Sequence, residues 1–406
     1  MTTTPTPAAG PLAEEATHSP WEIIKRRVRG GELGAWPVII GLVIIWIVFQ
    51  SLSDRFLTAQ NLSNLALQIT AVGTISVGIV LVLLLGEIDL SVGSVAGVSA
   101  ATLAVLTVRH GWSDVTAMIA AILLGAVIGF IQGTIFAKLG VPAFVVTLAG
   151  NLGWLGLQLY LLGTEGTINM PSGFVTDLMN NKLTMAMGWI IGAIVVLLYA
   201  ASVLLGRARR MSAGLPAQSL VSDLVRIIGL AAIVVVSVAV LNAWQGVPIG
   251  VVILVALVAV LDLVLRRTRY GRSIFAVGGN IEAARRAGIN VSWIQISVFT
   301  LCSAFAAFGG VLLVARGFSA TQTTGGSDVL LMAIAGAVIG GVSLFGGRGS
   351  PWGALLGAIV LGSINSGMLL INLDSSVRYM ITAAVLLAAV ILDSVSRRGR
   401  RASGRG

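Results

Sequence analysis

Apolar runs of about twenty residues recur along almost the whole chain, separated by short stretches that carry most of the charge. A helix rises 1.5 Å per residue, so about 20 such residues cross a hydrocarbon core of about 30 Å. The pattern predicts spans at 36–52, 64–86, 91–108, 115–137, 142–162, 183–205, 224–243, 248–265, 294–315, 327–345, 351–372 and 377–395. This is an all-α polytopic membrane protein of about twelve (10–12) transmembrane helices. A β-barrel would need alternating segments of about ten residues, and these runs are continuous. The first run opens with Pro37, whose missing N–H costs little at a helix start. The polar break between 64–86 and 91–108 is short, which makes one of that pair the candidate for a re-entrant or broken span. Irregular backbone is allowed at membrane depth only where it faces protein or a water-filled path.

The bundle is expected to occupy 36–395. Before it, residues 1–35 read as a disordered tail, rich in Thr, Pro and Ala, that ends in a basic patch at Lys25, Arg26, Arg27 and Arg29. It has no short apolar core with a small-residue cleavage site, so it does not read as a signal peptide. Residues 396–406 form a second basic tail. Alternating the twelve spans from a cytoplasmic N-terminus places every basic residue on the inner side except Arg55, Arg109, Lys182, Arg316 and Arg378. Cytoplasmic loops are enriched in Lys and Arg, so the expected topology is N-in and C-in.

Composition sharpens this picture. The 406 residues are 56% hydrophobic and 10% charged with a mean hydropathy of +0.97, against about 25% charged residues in soluble domains. The net charge of +10 is then a topology signal and an attraction to anionic lipid headgroups, with no nucleic-acid partner implied. One cysteine, Cys302, and two histidines, His18 and His110, leave no metal cluster and no histidine-based catalytic pair. Neither an enzyme nor a resident cofactor is expected. The 50 glycines fit helices that must approach closely without a hydrophobic drive to associate.

Two constellations carry candidate chemistry. In LLLGEIDLSVGSVAG, Glu87, Asp89 and Ser91 sit between apolar runs, where a carboxylate costs about 2.5 kcal/mol or more. They are either a polar gate bordering a transport path or a helix junction, with Asp89 capping the helix that follows. The second is the loop Arg266–Trp293, in which NIEAARRAG reads as one short helix over 281–287. Asn280 is its cap, Glu282 lies in the first turn, Arg285 and Arg286 in the last, and Gly288 stops it. A helix this short is marginal alone and needs a surface to lie on, either a partner protein or lipid headgroups. Further polar residues inside spans, Gln68, Thr147, Asn151, Ser363, Asn365 and Ser366, are either path-lining or interhelical hydrogen-bonding groups. Asp328 reads as a helix cap, and Asp262 and Asp393 as partners of nearby arginines. A GxxxxGK[ST] loop is missing, because Lys25, Lys138 and Lys182 follow Ile24, Ala137 and Asn181. If ATP drives this protein, another subunit must hydrolyse it.

Three ordered stretches carry a family resemblance: GEIDLSVGSVAG at 86–97, TRYGRSIFAVGGNIEAARRAGINV at 268–291 and IGGVSLFGGRG at 339–349. They resemble the permeases of bacterial ABC importers for monosaccharides such as ribose, galactose and xylose. GVPAFVVTLAG at 140–150 and LYLLGTEGTINMP at 159–171 are most similar to the xylose-type branch. The resemblance implies a permease homodimer, an ATPase subunit that binds the ATP, and an extracytoplasmic sugar-binding protein. It makes 281–287 the coupling helix, with Gly271, Arg272, Asn280, Glu282, Ala283, Arg285 and Gly288 as the coupling set. Glu87, Asp89, Ser91, Asn151 and Asn365 are then the candidates for the gate and path. The stretch GGSDVLLMAIAG around Asp328 departs from the family's aromatic and acidic pattern. The competing readings are an ion-coupled secondary transporter with Glu87 and Asp89 as its ion site, and, further off, an intramembrane enzyme.

Overall fold

The computed structural model describes residues 36–215 and 219–402, with side chains up to Val385 and at Leu387, Ala388 and Ile391. The N-terminal tail with its basic patch therefore lies outside the described residues, as do residues 403–406. In chain order the elements begin with α1 (Trp36–Leu52), α2 (Ala59–Leu84), α3 (Val92–Ala104) continued by a π turn (Val105–Arg109), α4 (Asp114–Leu139) and α5 (Ala143–Leu162). Next come β1 (Thr167–Asn169), α6 (Phe174–Asn180), α7 (Met185–Ser212), α8 (Leu220–Asn242) and α9 (Ile249–Arg267). The chain continues with α10 (Arg269–Gly279), α11 (Ile281–Arg286), α12 (Val291–Gly317), β2 (Ser319–Thr321), α13 (Ser327–Ile339), α14 (Pro351–Leu370) and α15 (Ser375–Ala402).

A helix stands at each of the twelve predicted runs, and among the described residues nine are long and apolar enough to cross a membrane. The suspected break is in a different place from that expected. Both α2, with 26 residues, and the α3–π-turn run, with 18, have the length and composition of a span. The short element is α13, which ends at Ile339 rather than 345 and covers 13 residues, about 20 Å. Glycines with positive φ at 341, 346, 347 and 349 turn the chain away before α14 begins. At the other end of the bundle, α15 runs past its predicted stop and carries residues 396–402 as helix.

Helix α12 is the hub, packed against α4, α2 and α3. The contact with α4 is a stripe of Gly125, Gly129 and Gly133: a Cβ on Gly129 would stand 2.4 Å from the Phe299 carbonyl oxygen. Small residues four apart let the backbones touch where no hydrophobic drive brings helices together. The same device joins α13 to α14, where a Cβ on Gly357 would meet the Gly336 carbonyl at 1.9 Å.

Contacts at and near the helix ends sort the chain into two faces. Arg109 meets Glu165 at 3.4 Å, Lys182 Nζ donates to Gln245 at 2.8 Å, and β1 pairs antiparallel with β2 through Ile168 and Ala320. These belong to one face. Arg207 meets Asp223 at 3.3 Å, and Gly347 N donates to the Leu84 carbonyl at 2.8 Å. These belong to the other, the face that carries α10 and α11.

Between α12 and α13 the chain is irregular. Within Thr321 to Gly326, buried Gly325 is pressed against Gly93 and Gly97 of α3, while Gln322 and Thr323 remain exposed. From Gly97 the α3–π-turn run continues for 12 residues to Arg109, about 18 Å along the helix, so this contact lies well inside the bundle. The segment's carbonyls are served by one buried amide: Gln158 Nε2 of α5 donates to Thr321 O at 3.0 Å and Thr324 O at 2.9 Å, with a longer contact to Gln322 O. A Gln158→Leu variant leaves those half-buried carbonyls without their donor. Its stability should fall by about 1–3 kcal/mol, read from thermal unfolding of the detergent-purified chain. An unchanged midpoint would rule out the clamp.

Candidate functional site

On the basic face, α11 forms as its sequence demands. Asn280 Oδ1 accepts from Ala283 N at 2.9 Å, Arg285 meets Glu282 at 2.6 Å, and Gly288 closes the end with φ +80°. Only Ala284 is buried, at 3% exposure; Asn280, Glu282, Ala283, Arg285 and Gly288 are exposed. A second helix, α10, precedes it, where only a loop was expected. Thr268 caps it by accepting from Gly271 N at 3.1 Å. Arg272 is exposed, whereas Gly271 is buried under α9, where a Cβ would stand 2.2 Å from the Leu265 carbonyl. Gly271 therefore sets the bend between α9 and α10, while the others form the protruding surface. Tyr270 bonds Ser297 of α12 at 2.8 Å, and burial pushes its hydroxyl above the usual phenol range. The far end of α10 abuts α2, since a Cβ on Gly278 would lie 1.7 Å from the Leu84 carbonyl.

The junction between α2 and α3 lies beside this contact, with Gly86 against Phe345 and Gly346. Asp89 is 2% exposed, and its Oδ1 accepts from Ser91 N at 2.8 Å and from Ser91 Oγ at 2.6 Å. Asp89 thus fastens the turn before α3, whose N-cap is Ser91 itself. Glu87 is half-buried and has no hydrogen-bond partner for its side chain among the described residues. Ser91 Oγ also lies 3.1 Å from the Gln132 amide of α4. That hydroxyl has one proton, already given to Asp89, so the amide is satisfied when its nitrogen faces Ser91. Its oxygen then lies on the side of Gly150, where the buried indole N–H of Trp154 on α5 also stands without an acceptor. Gln132 and Trp154 were not legible as a pair, because only the packing of α4 on α5 brings them together.

The remaining path candidates divide. Ser363 accepts from Trp46 Nε1 at 2.9 Å, Ser366 donates to Asn61 Oδ1 at 3.0 Å, and Thr147 bonds back to Ala143 O at 3.0 Å. These three join or brace helices. Asn151 is half-buried on α5, away from any cavity described here. Asn365 and Gln68 do line a space: a half-open cavity of about 310 Å³ between α2, α12, α13 and α14, with Val72, Arg316, Met332 and Leu361. Asp328 is not the cap of α13; Gly326 is, and Asp328 in the first turn accepts from Tyr379. Asp262 pairs with Arg266 at 2.7 Å, as its spacing implied. The Asp393 side chain lies outside those described.

A helical membrane bundle with a cavity between α2, α12, α13 and α14, and a capped, protruding helix on the basic face, fits the architecture of a membrane permease. The chain belongs to the family described as branched-chain amino acid transport system / permease component, whose model matches residues 61–390. It is 35% identical over 368 residues to the xylose transport system permease protein XylH of Escherichia coli K12, covering 90% of this chain and 93% of that one. It is 32% identical over 356 residues to the ribose import permease protein RbsC of the same organism, covering 88% and 92%. It is 31% identical over 365 residues to the fructose import permease protein FrcC of Rhizobium meliloti, covering 90% and 86%. No solved structure matches the chain.

Asp89→Asn keeps an acceptor for Ser91 while removing the charge. If the charge serves transport, uptake should fall several-fold while membrane insertion is unchanged, and Glu87→Gln should behave alike. Ordinary uptake by both variants at normal expression would leave these residues a structural junction only.

Proposed function

We propose that the chain forms half of the membrane path of an ATP-driven monosaccharide importer, carrying xylose or a related sugar into the cytoplasm. The observation that carries this reading is α11. Five of its six residues are exposed, it is capped at its start, and glycine stops it at its end, yet it is too short to be stable unaided. A groove on a separate ATPase subunit is the surface such a helix is built to meet, and Arg272, Asn280, Glu282, Ala283, Arg285 and Gly288 are its contact set. The relatives' sugars, xylose, ribose and fructose, support the substrate class.

The basic face is then cytoplasmic, with both termini on that side, and the face bearing β1 and β2 receives a sugar-binding protein. A second copy of the chain completes the path. Arg316, Gln68 and Asn365 line a cavity with an open side, and polar groups of this kind are costly against hydrocarbon. ATP acts by stabilising one arrangement of the pair over the other, because a ligand that binds both equally shifts nothing.

Vesicles reconstituted with this chain, its ATPase and its binding protein should accumulate xylose with internal ATP and no ion gradient. Uptake that requires a proton or sodium gradient and ignores ATP would contradict the reading. A cytosol-dependent reporter fused after Gly406 should be active; activity only outside the cell would overturn the orientation.

A further inference from the structure

The cavity between α2, α12, α13 and α14 is graded along the bundle axis. At the end of the bundle that bears β1 and β2, its rim holds Arg316, one residue before the end of α12, and Leu369, one before the end of α14. Asn365 lies five residues from that end of α14, about 8 Å in, and Gln68 nine from the start of α2, about 14 Å in. Deeper still the wall is apolar, with Met332, Ala358 and Val72. Ala358 and Val72 are twelve and thirteen residues from the same helix ends, about 18–20 Å in. One leaflet with its headgroups is about 20 Å deep. The cavity thus carries charge at its mouth, amides below it and aliphatic carbon at its inner end.

Arg316 is exposed and has no ion-pair partner among the described residues, and no carboxylate lines the cavity. A guanidinium at the edge of hydrocarbon is costly without a counter-charge, and its fork of N–H donors matches a phosphate with two parallel hydrogen bonds. Gln68 Oε1 is enclosed, so that acceptor is closed to anything in the space. Asn365 is half-buried and makes no hydrogen bond through its side chain among the described residues, which leaves its amide N–H groups for ester oxygens. A solute hydroxylated on every side would meet only aliphatic and thioether groups at the inner end. A free carboxylate or phosphate would leave that end empty. We propose that the cavity holds one phospholipid, its phosphodiester on Arg316, its ester region beside Asn365 and one acyl chain running in toward Val72, Met332 and Ala358. The half-open side of the space, about 310 Å³ in volume, admits such a chain from its own leaflet. The site is independent of which solute the protein carries, and of whether a second copy lies over the rest of the cavity.

Native mass spectrometry of the full-length chain, released from detergent with dipalmitoyl phosphatidylglycerol added, counts bound lipids and copies of the chain in one spectrum. We expect one tightly held lipid per chain. Arg316→Gln should weaken its binding about fivefold or more, while Arg55→Gln, in the loop between α1 and α2 at the same end, should not change it. Met332→Trp fills the inner end and should weaken binding as well. A wild-type thermal midpoint certifies each variant as folded, and Arg316→Gln decides alone if Met332→Trp is not. Equal retention of lipid by the wild type and Arg316→Gln would reduce the lipid to a surface coat and overturn the proposal. Displacement of the phospholipid by an equal concentration of palmitate or inorganic phosphate would overturn it in favour of a free anion. Loss of a dimer in Arg316→Gln with lipid retention unchanged would overturn it in favour of a second copy.

Discussion

In hydrocarbon no water is available to satisfy a backbone amide, so irregular chain survives only where protein supplies its partners. The segment between α12 and α13 depends on this constraint. Its carbonyls are taken by Gln158, its start is paired in the β1–β2 ribbon, and Gly93 and Gly97 leave room for Gly325. With Gly325 held against α3, α13 begins there and covers only 13 residues. The side of α13 that carries Met332 then borders the cavity, opposite Gln68 and Asn365. The cavity is thus bordered on one side by a short helix whose preceding carbonyls are met by protein.

The two ends of the molecule are joined by α2. Its Leu84 carbonyl receives Gly347 N and lies under Gly278 of α10, while Gln68, Ile69 and Val72 of the same helix line the cavity. Sixteen residues of continuous helix separate Leu84 from Gln68, about 24 Å. Any displacement of α10 thus bears on an element that also lines the cavity. The close approach at Gly278 leaves no side chain between the backbones to absorb movement.

The helices were legible because the hydrophobic drive that places a span acts on consecutive residues. For the same reason α1 matches its predicted limits and α11 its predicted cap. What escaped depends on partners distant in sequence. The stretch RYGRSIFAVGG reads as loop because of its arginines and glycines, and it is helical where Ile274 and Val277 bury their side chains and Gly278 meets α2. Gln158 looks like any polar residue near a span end until residues more than 160 positions away reach it. Asp328 has the place of a cap before an apolar run, but the turn begins at Gly326 and frees the carboxylate for Tyr379. Of the candidate path residues, Asn365 faces the cavity while Ser363 and Ser366 tie α14 to its neighbours, a distinction set by helix rotation.

The central claim is that α11 transmits the work of a separate ATPase to this chain. Ala284 N donates to Asn280 O at 3.0 Å in the middle of that helix, and proline there removes the donor at a cost of about 3 kcal/mol. The most direct measurement is xylose-stimulated ATP hydrolysis by the reconstituted complex carrying Ala284→Pro. The account predicts that stimulation is lost while the variant still inserts in the membrane. Wild-type stimulation, with normal co-purification of the ATPase, would contradict it and move the contact to another loop of the basic face, such as that between Arg207 and Arg226.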